Sequence, residues 1–170
     1  VSDHDHVARL QEQWRAERPD LDVTPLGVIG RLHRLAAALT RELEAVYAQH
    51  GLSEGDFDVL AALRRSGADL TAGELAAATM VTTGGTTKRL DRLEGAGLVT
   101  RRTSDTDGRG RVVALTAEGH RVIDAAFSDH VANEHRLVGQ IPDADAAALE
   151  RILRDWLAQH EAPADVARPR

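Results

Sequence analysis

The chain has 170 residues, 28% charged and 42% hydrophobic, which suits a folded domain with a buried core and excludes a disordered polyelectrolyte. It contains no cysteine, so disulfides, thiol nucleophiles and cysteine-based redox sensing are all excluded. The formal net charge of −6, taken whole, argues against nucleic acid as a partner.

No apolar run approaches the roughly 18 residues of a membrane span, and no charged-then-apolar leader opens the chain. The expectation is a cytoplasmic protein without membrane contact. Val7, Leu10 and Trp14 share a helical stripe, which predicts a first helix over 7–17 that Pro19 ends. A long helix follows from about Leu26 to Gln49, with Ile29, Leu32, Leu39, Leu43 and Val46 on one face and Gly51 as its stop. Ser53 is a plausible N-cap for a helix holding Phe57, Leu60, Ala61 and Leu63, which ends near Ser66-Gly67.

Thr71-Ala-Gly-Glu74 has capping-box spacing and starts a short helix ending near Ala78. Thr82 or Thr83 opens the next, which runs to Glu94 and is terminated by Gly95 and Gly97. Met80 to Thr83 form a tight joint, so the two helices read as a helix-turn-helix. After Gly97 the apolar period falls from 3.6 to 2. Leu98 to Arg102 and Arg111 to Leu115 read as strands, and the turn-rich segment between them makes the pair a wing.

Thr116 caps a helix from about Ala117 to Val138, which Ile141-Pro142-Asp143 breaks. A last helix from Asp143 to about His160 carries Leu149, Ile152, Leu153, Trp156 and Leu157 on one stripe. Long end helices with apolar stripes and little left to pack against predict a homodimer. The fold expected is mainly α with a small β-hairpin wing. Residues 1–50 and 117–170 would supply the helices of a dimerisation domain, with a winged helix-turn-helix DNA-binding domain over 51–116.

Charge is placed unevenly. Between Thr79 and Thr116 lie seven positive and four negative side chains, so this window is +3 and the remainder of the chain is −9. The positive side chains include Lys88, Arg89 and Arg92 on the predicted recognition helix. Thr82, Thr83, Thr86 and Thr87 at its start are small and polar, as close approach to phosphates and base edges requires. Gly84 and Gly85 in that segment cost about 1 kcal/mol each inside a helix and call for a reason such as close approach. The other reading is an ordinary amphipathic helix with a solvated polar face.

At the wing tip, Arg109 and Arg111 flank Gly110, where a guanidinium can enter a minor groove, and Asp107 can hold Arg109 in position. The other reading there is a solvated turn. His120 with Asp124 and His130 with Glu134 are i,i+4 pairs, but two ligands on one helix do not make a metal site. No HExxH, GxSxG or P-loop pattern occurs, so no enzyme, metal or cofactor is expected.

Asp107-x-Arg109 followed by Val113-x-Leu115-Thr116 resembles the wing signature of the MarR family of dimeric winged-helix regulators. Thr82-Thr-Gly-x-x-Thr87-x-Arg89-x-Asp91-x-Leu93-Glu94-x-x-Gly97-Leu98 resembles that family's recognition helix and its exit. Gly108 and Gly110 depart from the charged or bulkier residues usual in the family's wing. The resemblance implies a homodimer, intertwined through helices from both chain ends, that reads palindromic double-stranded operator DNA.

The first predicted helix with Trp14, together with Asp58, Arg89 and Arg101, is similar to the four-residue signature of the family's urate-responsive subgroup. That similarity implies a repressor released by a small anionic effector, urate-like or an aromatic acid. Each member also has a plainer reading: Trp14 as a core anchor, Asp58 as a helix-surface charge, Arg89 and Arg101 as phosphate contacts. The alternatives for the whole chain are a regulator answering phenolic or other carboxylate ligands, and a constitutive DNA-binding or architectural protein.

Overall fold

A computed structural model describes residues 5–79, 86–103 and 111–161. The expected joint at Met80–Thr83, with its N-cap at Thr82 or Thr83, and the hairpin tip at 104–110 lie outside the described residues. The chain divides into two compact units between His130 and Val131.

The first unit opens with α1 (His6–Glu17) and α2 (Leu26–Gln49). The Asp5 side chain accepts a hydrogen bond from the Ala8 amide at 2.8 Å and caps α1. Gly30 lets Val7 approach the α2 backbone, and Gln11, buried beside Gly27, donates from Nε2 to the Val23 carbonyl at 3.1 Å. Gly51 ends α2 at φ +70°, with Leu52 N–H bonded to the Tyr47 carbonyl and Gly51 N–H to that of Ala48. That pairing is the Schellman stop, in which a left-handed residue satisfies the last carbonyls.

Three helices and a small sheet follow: α3 (Glu54–Ser66), β1 (Leu70–Thr71), α4 (Ala72–Ala78), α5 (Thr86–Gly95), β2 (Val99–Thr103) and β3 (Arg111–Leu115). The Thr71–Glu74 capping box forms as expected: the threonine hydroxyl accepts from Glu74 N–H, and the glutamate accepts from Thr71 N–H. The strands lie in the order β1-β3-β2, all antiparallel, with Arg101 opposite Val113 and Arg102 opposite Val112. The sheet therefore has a third strand that the sequence reading did not anticipate. Two residues are too few for an alternating period to register.

Leu60, Leu75, Leu90, Leu93, Val99, Val113, Ile123 and Ala126 bury together and make α3, α4, α5, the sheet and the start of α6 (Ala117–Val138) one core. The chain's one tyrosine and both phenylalanines lie beside it. Tyr47 stacks on Phe57 at 4.1 Å between ring centroids, and the Tyr47 hydroxyl is 3.2 Å from His130 Nδ1.

The exit of α5 is tied to the start of α6. Gly95 is still helical, and Gly97, at φ +71°, makes the stop, with Leu98 N–H bonded to the Leu93 carbonyl at 2.9 Å. Thr116 N–H then bonds the Leu98 carbonyl at 3.1 Å, its hydroxyl donates to the Gly97 carbonyl at 2.7 Å, and the same oxygen accepts from Gly119 N–H. Thr116 thus caps α6 as predicted and also holds the loop that leaves α5. Gly119 sits so close to the Leu98 carbonyl that a Cβ there would collide with backbone.

The second unit holds the end of α6 and α7 (Asp143–Leu157), which stops short of the expected His160. No residue of α7 is buried; Leu149, Ile152, Leu153 and Leu157 form its exposed apolar stripe, and Trp156 is half-buried. Among the described residues no helix is long and apolar enough to cross a membrane.

Gly119→Ala should destabilise the protein by about 2 kcal/mol or more, because the clash is with backbone that cannot rotate away. A urea-unfolding midpoint indistinguishable from the parent's would show that the α5–α6 junction is slack.

Candidate nucleic-acid interface

Two buried leucines orient α5. Leu90 and Leu93, 3% and 2% exposed, lie three residues apart on one face and insert into the core. The helical period then turns Thr87, Lys88 and Asp91 outward, and all three are exposed. Thr86 begins the described helix, while the candidate contacts Thr82 and Thr83 lie outside the described residues.

Arg92 and Arg89 leave the helix toward the first turn of α3. Arg92 Nη2 is 2.5 Å from Asp56 Oδ1 and 3.3 Å from Ser53 Oγ. Asp56 is only 4% exposed and also closes a capping box with Ser53, accepting from its N–H at 3.1 Å and its hydroxyl at 2.6 Å. Burial pushes the Asp56 carboxyl up, but the Arg92 guanidinium, the Ser53 hydroxyl and the Ser53 amide together bring it below the usual carboxylate range.

Sequence reasoning placed Arg92 among the DNA contacts and gave Asp56 no role. The one available signal was Ser53-x-x-Asp56, which has capping-box spacing but the shorter acid. Arg89 is half-buried, and its guanidinium lies so close over Gly55 that a Cβ there would displace it. Asp58, also half-buried, stands three residues on from Gly55 along the same face of α3.

The first strand of the wing carries two consecutive arginines, Arg101 and Arg102, that point to opposite faces of the sheet. Arg101 turns toward α5, with Nη2 2.5 Å from Asp91 Oδ1 and its backbone N–H 3.1 Å from Glu94 Oε1. Arg102 turns the other way and binds Asp69 Oδ2 through Nε at 2.9 Å. Arg111, exposed, is the first residue of β3 and pairs in register with Thr103. Asp107 and Arg109 lie outside the described residues.

Trp14, the remaining candidate, is 50% exposed on α1. The histidine pairs are drawn into other contacts. Asp124 pairs with Arg64 at 2.7 Å, and His130 lies against Tyr47, Phe57 and Phe127. Among the described residues no group of three or more His, Cys, Asp or Glu could hold a metal ion.

A reading helix with a polar outer face, braced by a three-stranded wing, is an arrangement shared with known regulators. The chain is 38% identical over 149 residues to the HTH-type transcriptional regulator PecS of Dickeya dadantii, covering 86% of this chain and 90% of PecS. It belongs to the MarR family of DNA-binding transcriptional regulators. The MarR family model itself matches residues 50–110, the stretch from the end of α2 past β2 and up to the start of β3.

An HTH-type transcriptional repressor of Mycobacterium tuberculosis, Rv2887, is 31% identical over 132 residues, which are 78% of this chain and 93% of that one. The crystal structure of a mutant MarR from E. coli complexed with operator DNA superposes with a TM-score of 0.67 at 27% identity. It covers 79% of this chain and 95% of MarR. MarR-family regulators are not enzymes, in keeping with a site that offers ion pairs and helix surface only.

In this MarR-family chain, Arg92→Ala should cost about 1–2 kcal/mol, because it leaves a buried carboxylate without its cation while Arg92 itself is half-exposed. The sign of the pH effect follows from a lowered folded value. The stabilisation is complete above the ordinary 3.8 and is lost as pH falls through the folded value. Urea titrations should therefore show the gap between parent and Arg92→Ala closing in acid below that point. A gap independent of pH would remove the ion pair from the account.

Proposed function

We propose that this protein is a homodimeric transcriptional repressor that binds palindromic operator DNA and releases it on taking up a small anionic ligand. The observation that carries the DNA reading is α5: Leu90 and Leu93 are buried while Thr87 and Lys88 stand exposed on the outward face. The likeness to MarR solved with operator DNA supports the same reading. In this reading Thr82, Thr83, Thr86, Thr87, Lys88 and Arg89 belong to the helix that enters the major groove. Asp107, Arg109 and Arg111 serve the wing in the flanking minor groove, and half-site centres lie about 10 bp apart. The helices of 1–50 and 117–170 form the dimer, and the exposed apolar stripes of α2 (Val28, Ile29, Leu35) and α7 suit that role.

Phosphate contacts release counterions, so their number sets the slope of affinity against salt. Lys88→Ala should weaken binding on all duplexes alike and reduce that slope by about 1. Arg109→Ala combined with Arg111→Ala should lower affinity for the operator and flatten the slope further. Mobility-shift titrations over a salt series measure both, and an unchanged double variant takes the wing out of the interface.

The ligand reading rests on the recognition helix and α3. Arg89 projects from α5 onto Gly55, one turn from Asp58. An anion entering beside Arg89 would compete for its guanidinium and repel Asp58, shifting α5 out of groove register. The exposed indole of Trp14 is available for a flat, aromatic anion such as urate, and phenolic or other small carboxylates share the needed chemistry. Asp58→Asn and Arg89→Asn should both weaken ligand-induced release from DNA more than they lower the unfolding midpoint. If both variants respond to urate and to aromatic acids as the parent does, this coupling is wrong. If the parent itself ignores every such acid, the protein is a constitutive DNA-binding protein.

A further inference from the structure

We propose that Arg65 is a positioning residue for DNA reading, which fixes the C-terminal end of α4, the first helix of the helix-turn-helix, against α3. The inference rests on the DNA-binding function proposed above.

Arg65 lies in the last turn of α3, outside the positively charged window of 79–116. Its Nη2 donates at 2.8 Å to the carbonyl of Ala78, the last residue of α4. That carbonyl is one of the four that an α-helix leaves without a partner of its own. The backbone turns extended at Thr79, with φ −90° and ψ 147°, so no further helical turn supplies one. A guanidinium at this point also meets the negative end of the α4 dipole.

The composition of α4 explains why its end needs an outside tie. The helix has seven residues, of which only Leu75 is buried, and it closes on Ala76-Ala77-Ala78. Methyl side chains interdigitate too little to set the direction of that last turn. The Thr71–Glu74 capping box fixes the start of α4 and Leu75 pins its middle, which leaves the end to Arg65. The base from which Arg65 reaches is firm. Val59, Leu60, Ala62 and Leu63 of α3 are 3% exposed or less, and the neighbouring Arg64 binds Asp124 of α6 at 2.7 Å. Since α4 lies against α5 as well as α3, the direction in which α4 ends bears on where Thr87 and Lys88 stand. Reading base edges requires a closely placed helix, whereas attraction to the phosphate backbone does not.

Arg65 is exposed, so its hydrogen bond contributes little to overall stability, and sequence discrimination is the more telling readout. The test compares a duplex enriched by the parent protein from a randomised library with a shuffled duplex of equal length and composition. Arg65→Met keeps the aliphatic stem and removes the donors. It should bind the enriched duplex about fivefold more weakly, change by less than about twofold on the shuffled one, and leave the salt slope unaltered. Arg65→Lys retains a cation that can donate to a carbonyl, so it should stay within about twofold of the parent on both. Thr79 N–H, bonded to the Leu75 carbonyl at 3.0 Å, reports on the same turn. Its hydrogen exchange should quicken about fivefold in Arg65→Met while that of Leu60 is unchanged.

Equal losses on both duplexes would overturn the proposal: with a salt slope shallower by about 1, Arg65 is a phosphate contact, and with an unaltered slope the loss is one of folding. Full affinity of Arg65→Met for the enriched duplex, or unchanged exchange at Thr79, would overturn it as well. Failure of the parent to enrich any duplex is a separate outcome, which removes the DNA-binding reading and this inference with it.

Discussion

A carboxylate buried in the first turn of α3 cannot be left without a cation, and this constraint organises the reading head. Asp56 is taken out of water by its own helix cap, where the Ser53 hydroxyl and amide satisfy part of its hydrogen-bonding capacity. Arg92 supplies the rest from α5. An ion pair with one buried partner adds little net stability compared with apolar packing, but stripping the buried carboxylate of its cation is costly, so it favours one register over its neighbours. Sliding α5 by a turn would expose Leu90 or Leu93 and strip Asp56 of its partner at once.

The remaining braces build outward from that register. With α5 set on α3, Asp91 and Glu94 come within reach of Arg101, and the Gly97 stop delivers Leu98 to Thr116. The Gly119 close approach then seats α6 directly on the loop leaving the recognition helix. Motion of α6 relative to the core would have to be accommodated at Leu98, four residues from the last carboxylate that Arg101 holds.

Much of this architecture was legible in the chain because it is local. The Thr71–Glu74 box, the stop at Gly51, the Thr116 cap and the buried faces of α3 and α5 all follow from spacings within two helical turns. What stayed hidden was non-local. Arg92 and Asp56 are 36 residues apart and Arg102 and Asp69 are 33 apart, and nothing in either neighbourhood marks its partner. β1 was missed because two residues carry no period. Gly95 and Gly97 looked equivalent as terminators, yet only the second takes the left-handed backbone that a stop requires. Trp14 had two readings, as part of a ligand signature by resemblance and as a core anchor by its helical stripe, and on the single chain its indole is half-exposed.

Charge counting left the partners of each arginine open for a related reason. The +3 window between Thr79 and Thr116 sets one region apart from an acidic remainder, but it treats all its arginines alike. Arg92 and Arg102 are matched by Asp56 and Asp69, which lie outside the window, and Arg101 by Asp91 and Glu94 within it. Lys88 and Arg111, both exposed, are not drawn into any of these three pairs. Among the described residues of the window, Lys88 lies on the outward face of α5 and Arg111 at the start of β3. With the rest of the chain at −9, long-range attraction to a phosphate backbone is weakened, so in the reading proposed above affinity rests on the fitted geometry of helix and wing. In that reading the internal ion pairs of Arg92, Arg101 and Arg102 bear on the geometry, because each ties α5 or the sheet to a neighbouring element and so fixes where the exposed cations fall.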